Sequence, residues 1–275
     1  MDSIAVVINA GAGKGHGREQ ADKVVEAFAA LGLAAQVALA RDGTQIASAV
    51  QAALDRGARL VVGGGGDGTI NQVAASILRH PRGAQVELGV LPLGTLNHFA
   101  KDLGIPLALD EAVAVIARGH AVAVDTAEVN GRLFLNNSSI GLYPDIVHER
   151  ERQQARLGRG KWPAFAWATL AALRRFPFHT VSLRVDGEEL VRRTAFVFIG
   201  NNDYHMQGME IGARSCLDAG CLCVYVAQHA GRWGLLKFAL AALFGRLQQA
   251  RGLEHLRTRE LRIDTREARM RVSTD

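Results

Sequence analysis

The N-terminal part of this sequence alternates short apolar runs with segments of helical periodicity, and this alternation constrains the fold more than any other feature. The apolar runs are at 4–8, 34–40, 59–63 and 86–91. The first of the helical segments that follow them ends near Leu31, and the other three cover 44–55, 69–78 and 95–103. Strands that alternate with helices of this length form a parallel sheet with helices on both faces. We therefore predict an α/β domain over residues 1–121.

After Ala121 the pattern changes to apolar runs joined by tight turns. The candidate strands are 121–129, 133–141, 179–187, 189–201, 221–227, 260–265 and 268–274. Asn130-Gly131 and Asp186-Gly187 are strong hairpin signals, because both central residues of the favoured turn need a positive φ. Helical patterns interrupt the strands at 145–156, 161–175 and 231–249. We predict a boundary near 119–122 and a mainly antiparallel second domain over residues 122–275.

The composition is that of a globular protein with a mild excess of positive charge. Of the 275 residues 48% are hydrophobic, and the formal net charge is +5. Residues 149–175 contain seven Arg or Lys and two acids, so this segment alone carries an excess equal to that of the whole chain. The longest apolar stretch, 164–173, is shorter than the ~20 residues that cross a bilayer, and the first residues show no signal peptide. We expect a cytoplasmic protein whose Cys216, Cys221 and Cys223 are reduced and pack as small apolar side chains.

A run of glycines surrounds Asp67 at the end of the third predicted strand, in VVGGGGDGT (61–69). Such a run is costly unless the backbone takes a positive φ or approaches something closely. A glycine loop between a strand and a helix presents N–H groups and the positive helix end to an anion, for which phosphate is the natural choice. An acid beside phosphate would hold Mg²⁺ or take a proton from an attacking hydroxyl, which are roles that phosphoryl transfer needs. The alternative is a tight turn with Asp67 as a helix N-cap.

Two further loops at the same predicted sheet edge suit an anion. NAGAGKG (9–15) follows the first strand, but it is not a Walker A loop because Lys14 is followed by Gly15. LPLGTLNHFAKDLGIP (91–106) follows the fourth strand and leads into a helix that carries Lys101. Ligands of open α/β sheets bind beyond the carboxyl ends of the strands. Three such loops together favour a phosphate site over turn chemistry alone.

GGDGT (65–69), the first loop and PLGTLNHFAKDLGIP (92–106) resemble the diacylglycerol kinase catalytic domain family, which includes diacylglycerol, sphingosine and ceramide kinases and bacterial soluble lipid kinases. Segments 124–147 and 217–227 resemble the second domain of that family, so the resemblance covers nearly the whole chain. It implies a first domain like those of NAD kinase and phosphofructokinase and a β-sandwich second domain. It also implies a kinase that uses ATP and Mg²⁺ to phosphorylate a lipid hydroxyl.

The resemblance assigns roles to particular residues. The essential carboxylate, as base or as metal partner, is Asp67. The positions expected to contact the nucleotide or its phosphates are Asn9, Gly13, Lys14, Gly65, Gly66, Gly68, Thr69, Gly94, Thr95 and Asn97. The positions expected to line the cleft are Lys101, Asp125 and Lys161, of which the last has the alternative of a solvated or membrane-facing cation. The candidate ligand of a structural Mg²⁺ is Asp218.

Several residues depart from the family pattern. Family members usually have Pro after the first Asn and Glu three residues after GGDGT, where this chain has Ala10 and Gln72. Ala219 stands where the family often has a metal-binding Asp, which leaves Asp218 as the candidate. The family usually continues into a segment with a proposed catalytic Glu, whereas this sequence stops at Asp275. That difference raises the alternative of a truncation before a catalytic residue.

The expected partners are a lipid substrate and an anionic membrane surface, with transient membrane association. Segment 149–175 combines cations with Trp162, Phe165 and Trp167, and segment 231–249 has a basic amphipathic pattern; both are typical of segments that bind lipid surfaces. The alternative for both is an apolar stripe that packs on the second domain. No stacking motif for nucleic acid is recognised, and a homodimer stays open.

Two other functions stay open beside the lipid kinase. An NAD kinase-like transferase shares GGDGT, although the extended run at 92–106 favours a lipid kinase. A non-catalytic module that binds a nucleotide or a lipid is the alternative that Gln72 and Ala219 favour.

Overall fold

A computed structural model describes residues 4–12, 17–141, 178–205, 213–227, 253–266 and 270–275. By its contacts the chain divides into two compact units. They are Met1–Leu135 with Asp275, and Asn136–Thr274.

The first unit is an α/β domain. Its parallel strands are β1 (Ile4–Asn9), β2 (Ala35–Ala40), β3 (Leu60–Gly65) and β4 (Glu87–Pro92). Its helices are α1 (Gly17–Ala29), α2 (Gly43–Asp55), α3 (Asp67–Arg79), α4 (His98–Asp102) and α5 (Leu109–Ala117), and two short 3-10 turns lie at Ala10–Ala12 and Gly83–Gln85. The strand order is β2-β1-β3-β4, and every neighbouring pair is parallel. The predicted parallel α/β sheet is confirmed.

Both faces of this sheet are covered, because alternate residues of a strand face opposite sides. Val7 of β1 packs with Val50 of α2 on one face. Its neighbour Val6 packs on the other face with Phe28 of α1 and Val113 of α5. All five side chains are almost fully buried, and burying each one stabilises the fold by roughly 1.5–3 kcal/mol. The helices on both faces hold the sheet in place. Because its strands are parallel, the loops after β1, β3 and β4 lie at the same edge of the sheet.

A short hairpin completes the first unit. It consists of β5 (Ala127–Val129) and β6 (Arg132–Phe134), which pair antiparallel. Asn130 and Gly131 have φ values of 49° and 79°, so both central residues lie in the left-handed region. The predicted Asn-Gly turn is therefore present, with strands shorter than the predicted runs.

The hairpin packs against α3 of the first unit. Leu135 and Ile70 belong to one apolar cluster, and Leu133 packs against that cluster. Asn71 Nδ2 donates a hydrogen bond to Leu133 O at 3.0 Å. The contact division accordingly falls after Leu135. The boundary predicted near 119–122 precedes the hairpin, because the change of sequence pattern does not show which core the hairpin joins.

The second unit is made of antiparallel strands. They are β7 (Asn137–Gly141), β8 (His179–Val185), β9 (Glu188–Thr194), β10 (Phe196–Asn201), β11 (Leu222–Ala227), β12 (Leu253–Thr258), β13 (Leu261–Thr265) and β14 (Val272–Thr274). One sheet has the order β12-β11-β10-β7-β14 and the other has the order β13-β8-β9. The turn between β8 and β9 has Asp186 and Gly187 at φ 50° and 88°, as its sequence predicts.

Two features of the second unit differ from the prediction. The run predicted as one strand at 189–201 divides at Ala195 into β9 and β10, which belong to different sheets. Thr194 stabilises the break, because its Oγ1 donates to Phe196 O at 2.7 Å and accepts from Phe196 N at 3.2 Å. Strand β12 was not predicted at all.

The helical patterns predicted at 145–156, 161–175 and 231–249 lie outside the described residues. None of the helices in the described ranges is long and apolar enough to span a bilayer.

Candidate active site

The turn from β3 to α3 is built around closely packed glycines. Helix α3 begins at Asp67 with Gly66 as its N-cap, and Thr69 N donates to Gly66 O at 2.9 Å. A Cβ at Gly65 would lie 2.5 Å from Thr69 Oγ1. Any larger residue at position 65 would therefore push out the buried Thr69 side chain. The alternative of Asp67 as the N-cap of α3 is not observed.

The first loop is tied to this turn by Asn9, at the end of β1. Asn9 Nδ2 donates to Thr69 Oγ1 at 3.1 Å, and Asn9 Oδ1 accepts from Gly11 N at 2.9 Å. One amide side chain thus fixes the start of the loop 9–15 to the GGDGT segment. Asn9 acts here as a structural link, in addition to the nucleotide contact that the sequence predicts.

Asn97 organises the loop that follows β4. Its side chain is buried and its φ is 53°, a left-handed conformation that Asn tolerates better than most residues. Asn97 Oδ1 accepts from Gly94 N at 3.0 Å, and its Nδ2 donates to Gly94 O at 3.0 Å and to Pro92 O at 3.2 Å. The Asn97 side chain thus provides hydrogen-bond partners for backbone groups of Pro92 and Gly94 in this tight loop. Because of this turn, α4 starts at His98, later than the helix predicted from 95.

The carboxylate of Asp67 joins the GGDGT turn to this second loop. Asp67 Oδ2 accepts from His98 N at 3.1 Å, and Oδ1 accepts from Phe99 N at 2.9 Å. These are the first two amides of α4, which have no partner within their own helix. Hydrogen bonds from amides to a charged acceptor contribute ~1.5–3 kcal/mol. Asp67 is therefore both an acid in the loop and the group that orients α4.

The two loops also touch through their backbones. A Cβ built on Gly94 would lie 2.2 Å from Gly66 Cα and 2.8 Å from Gly66 N. The neighbouring Leu93 N donates to Gly65 O at 3.1 Å. Glycine at 94 is thus required by a close approach of backbone atoms, and the loop after β4 forms one surface with the loop after β3.

Other predicted residues of the first unit lie at the exposed side of these loops. Gly68 is exposed, and a Cβ there would have no atom within 4 Å. Thr95 and Lys101 are exposed, and Lys101 lies on α4 one turn after Asn97. Asp125 is half-buried just before β5.

The structure therefore brings together seven of the predicted positions through direct contacts. They are Asn9, Gly65, Gly66, Asp67, Thr69, Gly94 and Asn97. Gly13, Lys14 and Lys161 lie outside the described residues. Asp218 is exposed in the loop before β11, and its assignment as a metal ligand stays a prediction.

The amides of His98 and Phe99 are the partners that sequence reasoning missed. They lie 31 and 32 residues after Asp67, so no local pattern connects the carboxylate with them. One signal in the sequence could have indicated this contact: an acid follows β3, and the start of a helix follows the next strand, β4. Those two ends are neighbours in a parallel sheet.

Comparisons with known proteins place these loops in a defined family. Residues 3–129 match the family model described as the diacylglycerol kinase catalytic domain. Residues 143–275 match the model described as the YegS C-terminal NAD kinase beta sandwich-like domain. Residues 3–129 therefore form a diacylglycerol kinase catalytic domain and residues 143–275 a YegS-type second domain, so the resemblance predicted from the motifs is confirmed together with the β-sandwich type of the second domain.

Curated relatives with similar sequences include proteins named as probable lipid kinases. "Probable lipid kinase YegS-like" of Citrobacter koseri is 44% identical over 111 residues, which are 40% of this chain and 37% of that protein. The protein of the same name from Serratia proteamaculans is 37% identical over 148 residues, which are 53% of this chain and 48% of that protein. The matched part of this chain thus spans about half, or less, of the length of these relatives.

Solved structures show the same fold at low sequence identity. A "putative diacylglycerol kinase" from Bacillus anthracis str. Sterne has a TM-score of 0.77 and 23% identity, over 99% of this chain and 87% of that one. A second structure with the description "a diacylglycerol kinases" from the same source has a TM-score of 0.73 and 23% identity, over 99% and 88% of the two chains. At this identity the likeness supports the fold alone.

Proposed function

We propose that this chain is an ATP-dependent lipid kinase, which transfers the γ-phosphoryl group of ATP to a hydroxyl of diacylglycerol or a related lipid. The observation that carries the proposal is the joining of two glycine loops through Asp67 and through the contact of Gly66 with Gly94. These loops lie in the part of the chain that matches the diacylglycerol kinase catalytic domain. The names of the relatives support a lipid as the class of acceptor.

The glycine loops fit the phosphates of a nucleotide. Gly68, in the first turn of α3, has open space where a side chain would be, so a phosphate can approach the backbone closely. Amides in the first turn of a helix favour an anion, and the helix dipole adds to this preference. In the proposal Gly66, Gly68 and Thr69 hold the phosphates, while Asn9 and Asn97 fix the loops. Gly13, Lys14, Thr95 and the cleft residues Lys101, Asp125 and Lys161 keep the roles that the sequence predicts.

The environment of Asp67 fits a Mg²⁺ ion bound with the nucleotide. The amides of His98 and Phe99 each donate a hydrogen bond to one oxygen of the Asp67 carboxylate, so its orientation is fixed. Mg²⁺ prefers carboxylate and phosphate oxygens and keeps several waters. When bound, the ion would neutralise part of the negative charge of the phosphates. Asp67 itself, oriented by two amides, either binds that ion or accepts the proton of the lipid hydroxyl.

An acceptor panel tests the proposal. Labelled ATP is offered with Mg²⁺ and, separately, diacylglycerol, a sphingoid base, phosphatidylglycerol or NAD. We expect transfer to one of the lipids, and loss of transfer when EDTA removes Mg²⁺. Transfer to NAD alone would identify an NAD kinase-like enzyme instead. A folded protein that gives no labelled product, and no heat of ATP binding in calorimetry, would match the non-catalytic alternative and refute the proposal.

A membrane surface is the proposed location of the lipid substrate. The support is the sequence of residues 149–175, with seven cations and two acids, which lies outside the residues that the structure describes. Each cation near an anionic surface contributes roughly 1 kcal/mol. Replacing Arg174 and Arg175 by Glu is therefore expected to reduce sedimentation with phosphatidylglycerol vesicles by at least about tenfold. The matched control replaces Arg56 and Arg59, exposed residues between α2 and β3, and equal sedimentation of the two double variants would contradict the assignment.

A further inference from the structure

A compact group of metal-ligating side chains lies in the second unit, and none of them belongs to the loops described above. It consists of Asp203, Cys223 and His255, whose ligating atoms all lie within 4.8 Å of one another. Within the described ranges this is the one group of three or more His, Cys, Asp or Glu side chains with that geometry. Thiol, imidazole and carboxylate in combination are typical of zinc sites and atypical of magnesium sites.

The register of the sheet explains why two of these residues meet. Cys223 of β11 is paired with Arg257 of β12, and Tyr225 of β11 is paired with His255 of β12. Residues two apart on a strand face the same side of a sheet. His255 is therefore a diagonal neighbour of Cys223 on one face. Cys221, two residues before Cys223, is on that face as well.

The third residue of the group, Asp203, lies in the loop after β10. Asn202 has a φ of 72°, and its backbone N donates to Cys221 O at 3.0 Å, so the chain turns sharply beside β11. Gly200, opposite Cys223 in the sheet, leaves room for this turn, because a Cβ there would lie 2.7 Å from the Tyr204 ring. The turn places Asp203 over the end of the strands.

Two distances, one between Cys223 and the neighbouring Cys221 and one within the group, are close to those between ligands of a tetrahedral zinc ion. Cys221 Sγ and Cys223 Sγ are 3.9 Å apart; zinc–sulfur bonds of about 2.3 Å separate two sulfur ligands by ~3.8 Å. His255 Nε2 lies 3.1 Å from Asp203 Oδ1, near the ~3.3 Å expected for nitrogen and oxygen ligands. Cys223 Sγ lies 2.6 Å from the same oxygen, as a thiol hydrogen bond. A cation would replace that proton and move these two atoms apart.

The surroundings support the ligands. The guanidinium of Arg257 pairs with Asp203 Oδ2, which leaves Oδ1 for Cys223 and His255. Two thiolates and one carboxylate carry three negative charges, which a divalent cation and the guanidinium of Arg257 balance. The ring of His255 stacks on Tyr225 with centroids 4.7 Å apart and planes 13° apart, so its orientation is fixed. Outer partners of this kind are what metal ligands in proteins usually have.

Protonation in the metal-free state sets a cost for binding. Burial lowers the pKa of His255, so its imidazole is neutral at pH 7, which is the form that binds metals. Burial raises the pKa of the Cys223 thiol to about 12, and the neighbouring Cys221 thiol adds to the rise. Cysteine binds metals as the thiolate, so a bound cation releases the thiol proton, and thiolate ligands favour zinc and similar ions.

We propose that Asp203, Cys223 and His255 form a structural site for Zn²⁺ or a similar thiophilic divalent cation. Cys221, whose Sγ lies 3.9 Å from Cys223 Sγ but which is not a member of that group, moves in as the fourth ligand when the ion binds. Four protein ligands leave no open position, which is typical of structural zinc and not of catalytic zinc. The ion would fasten the loop after β10 to β11 and β12. The site is separate from the Mg²⁺ that the proposed kinase reaction uses.

Cobalt titration of the chelator-treated full chain tests this site. Co²⁺ is expected to bind one per chain, with a sulfur-to-cobalt charge-transfer band in the near ultraviolet and tetrahedral bands in the visible. Zn²⁺ should displace it, whereas Mg²⁺ should not. Zn²⁺ should also raise the Tm of the wild-type chain. Absence of the sulfur band, or displacement by an equal concentration of Mg²⁺, would overturn the proposal.

Variants show whether these particular residues bind the ion. Cys223→Ser and His255→Gln should each lower the affinity for Co²⁺ by at least about 100-fold, since even outer partners of metal ligands affect affinity 10- to 100-fold. His255 is 41% exposed in its side chain, so His255→Gln stays folded if the buried Cys223→Ser does not. The control is Cys216→Ser, because Cys216 is a free thiol outside the group. A band that persists in folded His255→Gln, or that Cys216→Ser removes, would contradict the assignment.

Discussion

Replacing Asp67 by Asn is expected to lower phosphoryl transfer by about 10²- to 10³-fold, the usual cost of removing one preorganised charge-stabilising group. Asn keeps the size of the side chain but lacks the negative charge that would bind Mg²⁺ or accept the hydroxyl proton. Initial rates with labelled ATP and the acceptor found in the panel measure the effect. They are taken at a temperature at which circular dichroism shows both proteins folded.

The same substitution should also weaken the fold, which has to be measured separately. One oxygen of Asp67 becomes an NH₂ group that faces the amide of His98 or Phe99. A loss of ~1–3 kcal/mol of unfolding free energy follows from one unmatched donor. Asp110→Asn is the control, because Asp110 is an exposed acid in the first turn of α5; its rate should stay at the wild-type level. If Asp67→Asn is less stable but equally fast, Asp67 only links the two loops.

The periodicity of apolar residues was sufficient to predict the elements that consist of one continuous apolar or amphipathic segment. Strands β1 to β4 were predicted to within two residues at each end, because each is an apolar run followed by an amphipathic helix. The turns at Asn130-Gly131 and Asp186-Gly187 were predicted because Asn, Asp and Gly accept positive φ. Helix α5 was missed, since its N-cap position Ala108 has no capping side chain. Strand β12 was missed because the two apolar residues of LEHLRT (253–258) are three apart, so the segment lacks the period-2 alternation of a strand.

Sequence reasoning located the loops of the candidate site but not the contacts that connect them. It placed GGDGT and PLGTLN at one sheet edge, because parallel strands end there together. It did not show that Asn97 binds its own loop or that Asp67 binds the start of α4, since these depend on the separation and twist of β3 and β4. The group around Cys223 was also missed. Cys221 and Cys223 were expected to be small apolar residues, which the burial of Cys223 supports, and nothing local connects them with His255.

Gly94→Ala is expected to disrupt the site through the backbone. The new Cβ would lie 2.2 Å from Gly66 Cα and 2.7 Å from Asn97 Oδ1. Because Gly66 Cα is a backbone atom, no change of side-chain rotamer relieves the overlap, and the loops after β3 and β4 must separate. Overpacking typically costs 1–3 kcal/mol, and we expect at least ~3 kcal/mol here. Denaturant unfolding should show this loss together with the loss of phosphoryl transfer.

Gly68→Ala, only two residues from Gly66, separates loop strain from ligand contact. Its Cβ would meet no atom within 4 Å, and Ala is favoured over Gly in a helix by up to ~1 kcal/mol. The variant should therefore be at least as stable as the wild type. If phosphate approaches the backbone at Gly68, the added methyl group should still lower transfer and weaken ATP binding in calorimetry. A stable Gly68→Ala protein with unchanged ATP affinity would show that the nucleotide does not contact this turn. A Gly94→Ala protein of wild-type stability would contradict the close approach of the two loops.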